Sequence, residues 1–376
     1  MTASDVAEKR ASFDVASFVR PVVRTVPSYV PAKSPEQPPR RIVKLDMNES
    51  PYGPSPKARA ALAEFAETNR YPEFDAGPVR RALAGYTGAP VDQIICGAGL
   101  DDVLNTFIHA IIDPGDEVII SEPTFGVYRG LASLHGGRVV DAPLTPDFAL
   151  DAERVLAAVT DRTKLIIVCT PNNPTGNVFD PATVERIVAE SGRLVAIDEA
   201  YAEFAGSTHL PLMDRHPNVA ILRTMSKFAG MAGMRVGYGI FPAALMPYLQ
   251  TVTPPFHNVT LASTAAVIAS LDDLPFLNGV VARINADRDA LADNLRELPG
   301  VRPLPSATNF LLVRLPVDDA APVVRELARR GILVRHFGRP ELGIRDCLRV
   351  TIGTTEENEL FLAELADILR EGGSPS

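Results

Sequence analysis

Val219-Ala-Ile-Leu-Arg-Thr-Met-Ser-Lys-Phe-Ala-Gly-Met-Ala-Gly-Met-Arg-Val-Gly-Tyr238 is the stretch on which the reading of this chain turns. It opens on an apolar run, Val219 to Leu222, of the kind that forms a buried strand. Thr224, Met225 and Ser226 make a short turn ending on Lys227. Gly230 and Gly233 follow, and Arg235, eight residues past the lysine, leads into a second apolar run. A strand-end lysine with two hydroxyls before it and an arginine after it suits a phosphorylated aldehyde. The amine forms an imine with the carbonyl, and the hydroxyls and the guanidinium hold the phosphate. Alone, the stretch reads equally as a loop of solvated charges, so the rest of the chain has to decide.

Outward from it, strands and helices alternate. Strands are expected at Gln93–Cys96, Glu117–Ile120, Arg138–Asp141, Lys164–Cys169, Leu194–Ile197 and Val236–Ile240. Helices are expected at 57–68, from Asp75 to Tyr86, at 101–112 and 153–160, and after Asp180-Pro181. This alternation predicts an α/β domain with a mostly parallel sheet flanked by helices. In such sheets ligands bind outside the carboxyl ends of the strands. Four polar features fall at such ends: the turn Gly97-Ala-Gly99, the turn Asn172-Asn-Pro-Thr-Gly176, Asp198 and Lys227. Gly99, Leu100 and Asp101 start a helix whose free N–H groups could seat a phosphate. The glycine turn fails as a dinucleotide fingerprint because Asp102 stands where a third glycine is needed.

Beyond Val236–Ile240 helices are expected at Leu261–Leu271 and Leu277–Leu298. A second, smaller α/β pattern follows, with strands at Phe310–Val313, Ile332–Val334 and Cys347–Ile352 and a helix at Ala320–Arg330. Thr354 and Glu357 make a capping box for a last helix reaching about Arg370. Before the large domain, six prolines between positions 21 and 40 predict a stiff, extended arm. The expected organisation is an arm at 1–44, a large domain at 45–272 and a small C-terminal domain at 273–376.

Composition narrows the function. The first thirty residues mix charges with no apolar core and do not read as a secretory signal. The three cysteines are widely spaced and odd in number, which fits a reducing, cytoplasmic setting rather than disulfides. No run is long enough to predict a membrane span. A formal net charge of −9 argues against a nucleic-acid surface. The six histidines have no metal-site spacing, so no metal is expected.

Asp198 closes the run Leu-Val-Ala-Ile and is expected to be buried, where a carboxylate is costly unless it meets a cation. A pyridinium nitrogen is such a partner, and a strand-end cap is the plainer alternative. Tyr201 and Asn173 could hydrogen-bond a ring hydroxyl, and Phe125 could stack on a ring.

Asn172-Asn-Pro-Thr-Gly, Asp198-Glu-Ala-Tyr and Ser226-Lys, in this order, together resemble the fold-type I pyridoxal-phosphate aminotransferases. The runs Asn48-Glu-Ser-Pro, Arg70-Tyr-Pro-Glu, Arg223-Thr-Met-Ser-Lys and Cys347-Leu-Arg-Val-Thr-Ile-Gly-Thr resemble the histidinol-phosphate aminotransferase subgroup, which also holds aromatic amino-acid aminotransferases. The resemblance runs from about Tyr29 to the final helix. It implies a large domain with a mostly parallel sheet of the seven-stranded type, a smaller α/β domain and an arm. It implies pyridoxal 5′-phosphate as cofactor, an amino donor and a 2-oxo acid as substrates, and a homodimer whose active site is shared between subunits. Lys227 would be the Schiff-base lysine and proton shuttle, and Asp198 would pair with the ring nitrogen. Tyr201 and Asn173 would hold the ring oxygen. Gly99, Leu100, Asp101, Thr224, Ser226 and Arg235 would hold the phosphate, together with Tyr71 of the neighbouring subunit. Arg349 and Arg335, with Tyr29 and Asn173, would bind the substrate, and His257 and His336 could line its pocket.

Phe125 stands where the subgroup often has tyrosine, and Leu100 where a smaller residue is common. Thr253-Pro-Pro-Phe lacks the basic residue often found there, which leaves an aromatic amino donor as the alternative substrate. A pyridoxal-phosphate decarboxylase or lyase would use the same cofactor residues. A ligand-sensing regulator domain would need a DNA-binding module, and a cofactor-free aldolase would have no use for Asp198.

Overall fold

The computed structural model describes residues 19–26 and 41–372. A seven-stranded sheet organises the chain: β2 (Ile94–Ala98), β3 (Glu117–Ile120), β4 (Arg138–Asp141), β5 (Thr163–Cys169), β6 (Leu194–Asp198), β7 (Val219–Thr224) and β8 (Val236–Ile240), in the order β2-β8-β7-β6-β5-β3-β4. A short β1 (Val43–Lys44) precedes them. Strands β5 to β7 are buried almost throughout, as apolar strands covered by helices on both faces must be.

The expected mostly parallel sheet is present, with β8 as its one antiparallel member. Only residues 225–235 separate β7 from β8, too short a link for the crossover that a parallel neighbour needs. The consequence is chemical. The parallel strands end at one edge of the sheet, and β8 begins at that same edge. Arg235, immediately before β8, is thereby delivered beside the turn that carries Lys227.

Helices surround the sheet as α1 (Pro56–Ala63), α2 (Gly77–Thr87), α3 (Leu100–Ile111), α4 (Val127–Leu134), α5 (Ala152–Ala157), α6 (Pro181–Glu190), α7 (Leu261–Leu271) and α8 (Leu274–Arg296). Ser55 caps α1 by accepting from Ala58 N at 3.2 Å, and Asp180 caps α6 by accepting from Thr183 N at 2.9 Å. α1 stops short of the expected Thr68, because most of residues 64–70 are exposed and bury no face. Asp75 does not cap α2 directly. Ala76 takes that place with φ +53, and Asp75 Oδ1 accepts from Gly77 N. α4 was not expected from the sequence.

The second sheet holds β9 (Arg302–Pro303), β10 (Phe310–Arg314), β12 (Arg335–His336) and β13 (Cys347–Thr351), antiparallel in the order β12-β13-β10-β9. β11 (Ile332–Leu333) pairs in parallel with β1. α9 (Ala321–Arg329) and α10 (Thr355–Gly372) accompany this sheet. The capping box at α10 is formed: Thr354 N donates to Glu357 Oε2 at 2.9 Å, and Glu357 N donates to Thr354 Oγ1 at 3.3 Å.

Of the arm, residues 19–26 and 41–44 are described, the latter ending in β1. Pro21–Thr25 is a helical turn rather than an extended segment, with proline at its first position, where a missing N–H costs nothing. Tyr29 and the remaining prolines lie outside the described residues. Among the described residues no single helix is long and apolar enough to cross a membrane, and no cluster of metal-ligating side chains occurs.

Candidate active site

A cavity of about 620 Å³ opens where the strands of the large sheet end. Lys227, Asp198, Tyr201, Asn173, Phe125 and Arg349 line it, as do Leu100, Asp101, Thr224, Ser226 and Arg235. Residues scattered over 250 positions of sequence therefore meet in one space. Lys227 and Asp198 are brought there by the adjacent strands β7 and β6.

One end of the cavity is built on glycine. Gly99, with φ +86, turns the chain from β2 into α3, and α3 presents its free N–H groups there. A Cβ at Gly99 would collide with the Arg235 guanidinium, so that side chain lies directly over the bare turn. Arg235 is itself left-handed, with φ +51, and its Nη2 is 3.7 Å from Asp101 Oδ2. Ser226 N donates to Thr224 Oγ1 at 3.1 Å, which closes the turn before Lys227. Gly237 lies so close under the helix start that an added Cβ would meet the Leu100 backbone nitrogen. Gly237→Ala is therefore expected to destabilise the protein by roughly 1–3 kcal/mol, read by chemical denaturation, because backbone rather than a flexible side chain must move.

Asp198 is almost wholly buried, and burial pushes its carboxyl up to about 6. Tyr128 OH donates to its Oδ2 at 2.6 Å, and Ala200 N donates to its Oδ1 at 3.0 Å. Behind it, Arg223 Nη2 lies 2.7 Å from the buried Glu199 Oε2, which ties the ends of β6 and β7 together. Burial also acts on Lys227: with the Arg349 charge second, it pulls the amine down to about 8. Lys227 Nζ donates to Met47 O at 2.9 Å.

Arg349 enters from β13 of the second sheet. Its Nη1 donates to Asn173 Oδ1 at 2.7 Å and its Nη2 to Asp46 O at 2.5 Å. Since arginine only donates, the Asn173 atom it meets must be oxygen, and the Asn173 NH₂ remains as a donor. Tyr201 OH accepts from Asn48 Nδ2 at 2.8 Å, and Asn48 Oδ1 accepts from Thr351 Oγ1 at 3.1 Å. The Asn48 motif thus braces Tyr201 from the direction of the second sheet.

Three expected residues stand apart from the cavity wall. Tyr71 is 83% exposed, with its ring stacked on Phe256 at 5.0 Å. Arg335 pairs with Arg349 in the β12–β13 register but does not line the cavity. Gly99 is not in the wall either; it leaves room for the Arg235 side chain that is. Neither histidine lines the cavity. His257 is buried behind β2, where Cys96 N donates to its Nδ1 at 3.2 Å, and His336 Nε2 contacts Arg345 O at 3.0 Å. The structure adds Tyr128 and Asn48, to which the sequence assigned no contact. Asn48 lay inside a quoted motif, but nothing in the sequence links Tyr128 to a carboxylate seventy positions later.

The family model for aminotransferases of class I and II matches residues 40–365. This chain belongs to that family. The aminotransferase is 43% identical over 373 residues to a histidinol-phosphate aminotransferase of Roseiflexus castenholzii, covering 95% of this chain and 98% of the relative. It is 38% identical to a histidinol-phosphate aminotransferase of Methanocaldococcus jannaschii, over 94% and 98% of the two chains. Among solved structures, the histidinol-phosphate aminotransferase of Sinorhizobium meliloti in complex with pyridoxal-5′-phosphate superposes on the aminotransferase with a TM-score of 0.87 at 28% identity. That match covers 97% of this chain and all of the other.

Proposed function

We propose that this aminotransferase moves an amino group between histidinol phosphate and 2-oxoglutarate, giving imidazole acetol phosphate and glutamate, with pyridoxal 5′-phosphate in the cavity described above. The observation that carries the reading is the meeting of the Lys227 amine, the Asp198 carboxylate and the start of α3 in one cavity that also receives Arg349. The names of the two curated relatives, matched over nearly their whole length, support the substrate.

The residues fit the cofactor. Asp198 is a buried acid in need of a cation, which a pyridinium nitrogen supplies. The bare Gly99 turn, the α3 N–H groups and Arg235 form a cradle for a phosphate dianion. When bound, pyridoxal 5′-phosphate supplies an aldehyde that condenses with amines and a cationic ring that draws electrons from the substrate's Cα.

The chain's own residues do the rest. Lys227 Nζ holds the cofactor between turnovers, takes the proton from Cα when the substrate amine has replaced it, and then returns that proton as an acid. An amine near pKa 8 holds far more of its base form at neutral pH than an ordinary lysine. Tyr201 OH and Asn173 NH₂ would orient the ring hydroxyl, and Phe125, which lines the same cavity, would stack on the ring. Arg349 faces an unusual demand, because glutamate offers an α-carboxylate and histidinol phosphate only a phosphate. A planar guanidinium can serve either anion. The exposed Tyr71 supports a role beyond its own cavity, at the cofactor phosphate of a second copy of this chain.

A donor panel with 2-oxoglutarate tests the reading. kcat/KM for histidinol phosphate is expected to exceed that for phenylalanine. The reverse order makes the enzyme an aromatic aminotransferase, and CO₂ release without amino transfer makes it a decarboxylase.

A further inference from the structure

Tyr128 sits in the first turn of α4 with no exposed surface, between two features of the site. Its hydroxyl donates to Asp198 Oδ2 at 2.6 Å. Its ring meets the Phe125 ring edge-on, with centroids 5.5 Å apart and planes at 86°. Phe125, Tyr128 and Asp198 all line the same cavity. With Oδ2 held by the phenol and Oδ1 by the Ala200 amide, the carboxylate cannot rotate, and each oxygen keeps a second lone-pair direction for another partner.

We propose that Tyr128 is a positioning residue of this site, fixing the Asp198 carboxylate for the cofactor's ring nitrogen through its hydroxyl and seating Phe125 at the ring face through its ring. The proposal rests on the reading of the cavity as a pyridoxal-phosphate site. A side chain that merely filled the core would need the ring but not the hydroxyl. A short hydrogen bond to a buried carboxylate instead favours the ionised form, the only form that attracts a cation. The other groups that bear on Asp198 are Asp101 and Glu199, whose charges oppose its ionisation, and the neutral Cys169 and Tyr201 beside it.

The test compares wild-type protein with Tyr128→Phe, which keeps the ring. Pyridoxal 5′-phosphate is removed, and its rebinding to the apoprotein is measured by equilibrium dialysis between pH 6 and 8. Tyr128→Phe is expected to bind about 10-fold or more weakly at pH 7, as loss of a hydrogen bond to a charged group implies. The deficit should widen as pH falls, because without the phenol Asp198 takes up its proton at higher pH. In an Asp198→Asn background the same change should cost little, since the charge it served is gone. Equal affinities at every pH overturn the proposal, as does an equal loss in both backgrounds. A Tyr128→Phe chain that does not fold overturns it too, by making the hydroxyl a requirement of the core. Wild-type protein that binds no pyridoxal 5′-phosphate instead overturns the reading of the cavity.

Discussion

Lys227→Ala is expected to abolish amino transfer, lowering kcat by about 10⁴-fold or more, with the fold intact. The size follows from the loss of two functions in one atom. In the proposed mechanism Nζ is both the nucleophile that holds the cofactor and the base that takes the Cα proton, and the second role alone contributes 10²–10⁴-fold in typical enzymes. Among the described residues, no other cavity-lining residue combines an amine with a pKa brought near neutrality. The fold should survive because the amine donates to the Met47 carbonyl, at 2.9 Å, rather than bridging core elements through its charge, and truncation relieves a desolvated charge beside Arg349. Circular dichroism and the melting temperature should match wild type within a few degrees, and the absorbance of the lysine-linked cofactor should be missing. The lowered pKa adds a second measurement on the wild-type protein. Only the free amine attacks an aldehyde, so the rate of cofactor uptake by the apoprotein should rise with pH to a midpoint near 8. A midpoint above 10 would mean that burial and Arg349 leave the amine unaffected. Retained turnover in Lys227→Ala would remove the residue from the chemistry altogether.

Lys227 and Asp198 were legible in the sequence because Asp198 closes one apolar strand and Lys227 follows just past the end of another, and strand ends of a parallel sheet share an edge. The same logic reached Asn173 and the Gly99 turn. It did not reach the direction of β8, which depends on a link too short to cross over, nor therefore why Arg235 arrives at the edge from the opposite side. Tyr128 was illegible for another reason. Its partner is fixed only when α4 packs on the sheet, and α4 itself has just eight residues and no strong start signal. His257 shows the reverse error. A histidine in a Pro-rich loop beside the site looked available to substrate, yet three successive left-handed residues, Phe256, His257 and Asn258, fold it inward against β2. Local backbone conformations of that kind, rare for residues other than glycine, leave little trace in residue type. Arg349 was recovered through its motif, but its grip on Asn173 and Asp46, which joins the second sheet to the cavity wall, belongs to tertiary packing alone.

Asp198→Asn is expected to lower kcat by roughly 10²- to 10³-fold, the range seen when one preorganised electrostatic contact to a developing charge is removed. The shape barely changes. The Ala200 N–H can only donate, so the amide oxygen of the new side chain must face it, and the NH₂ is left toward Tyr128, whose hydroxyl can turn to accept. What disappears is the negative charge that, in the proposed site, keeps a ring nitrogen protonated. The apoprotein should respond with the opposite sign. In the wild type, burial raises the Asp198 carboxyl from 3.8 to about 6, so ionising it costs stability, and that cost grows as pH rises from about 4 through 6. Asparagine removes the cost. The variant apoprotein should therefore melt above wild type at pH 7.5 and level with it near pH 4. A mutation that damaged the fold would lower both activity and melting temperature, whereas loss of a buried, functionally paired charge lowers one and raises the other. Parallel measurement of kcat at saturating pyridoxal 5′-phosphate and of apoprotein melting across this pH range separates the two. A kcat within threefold of wild type would place the ring nitrogen away from Asp198.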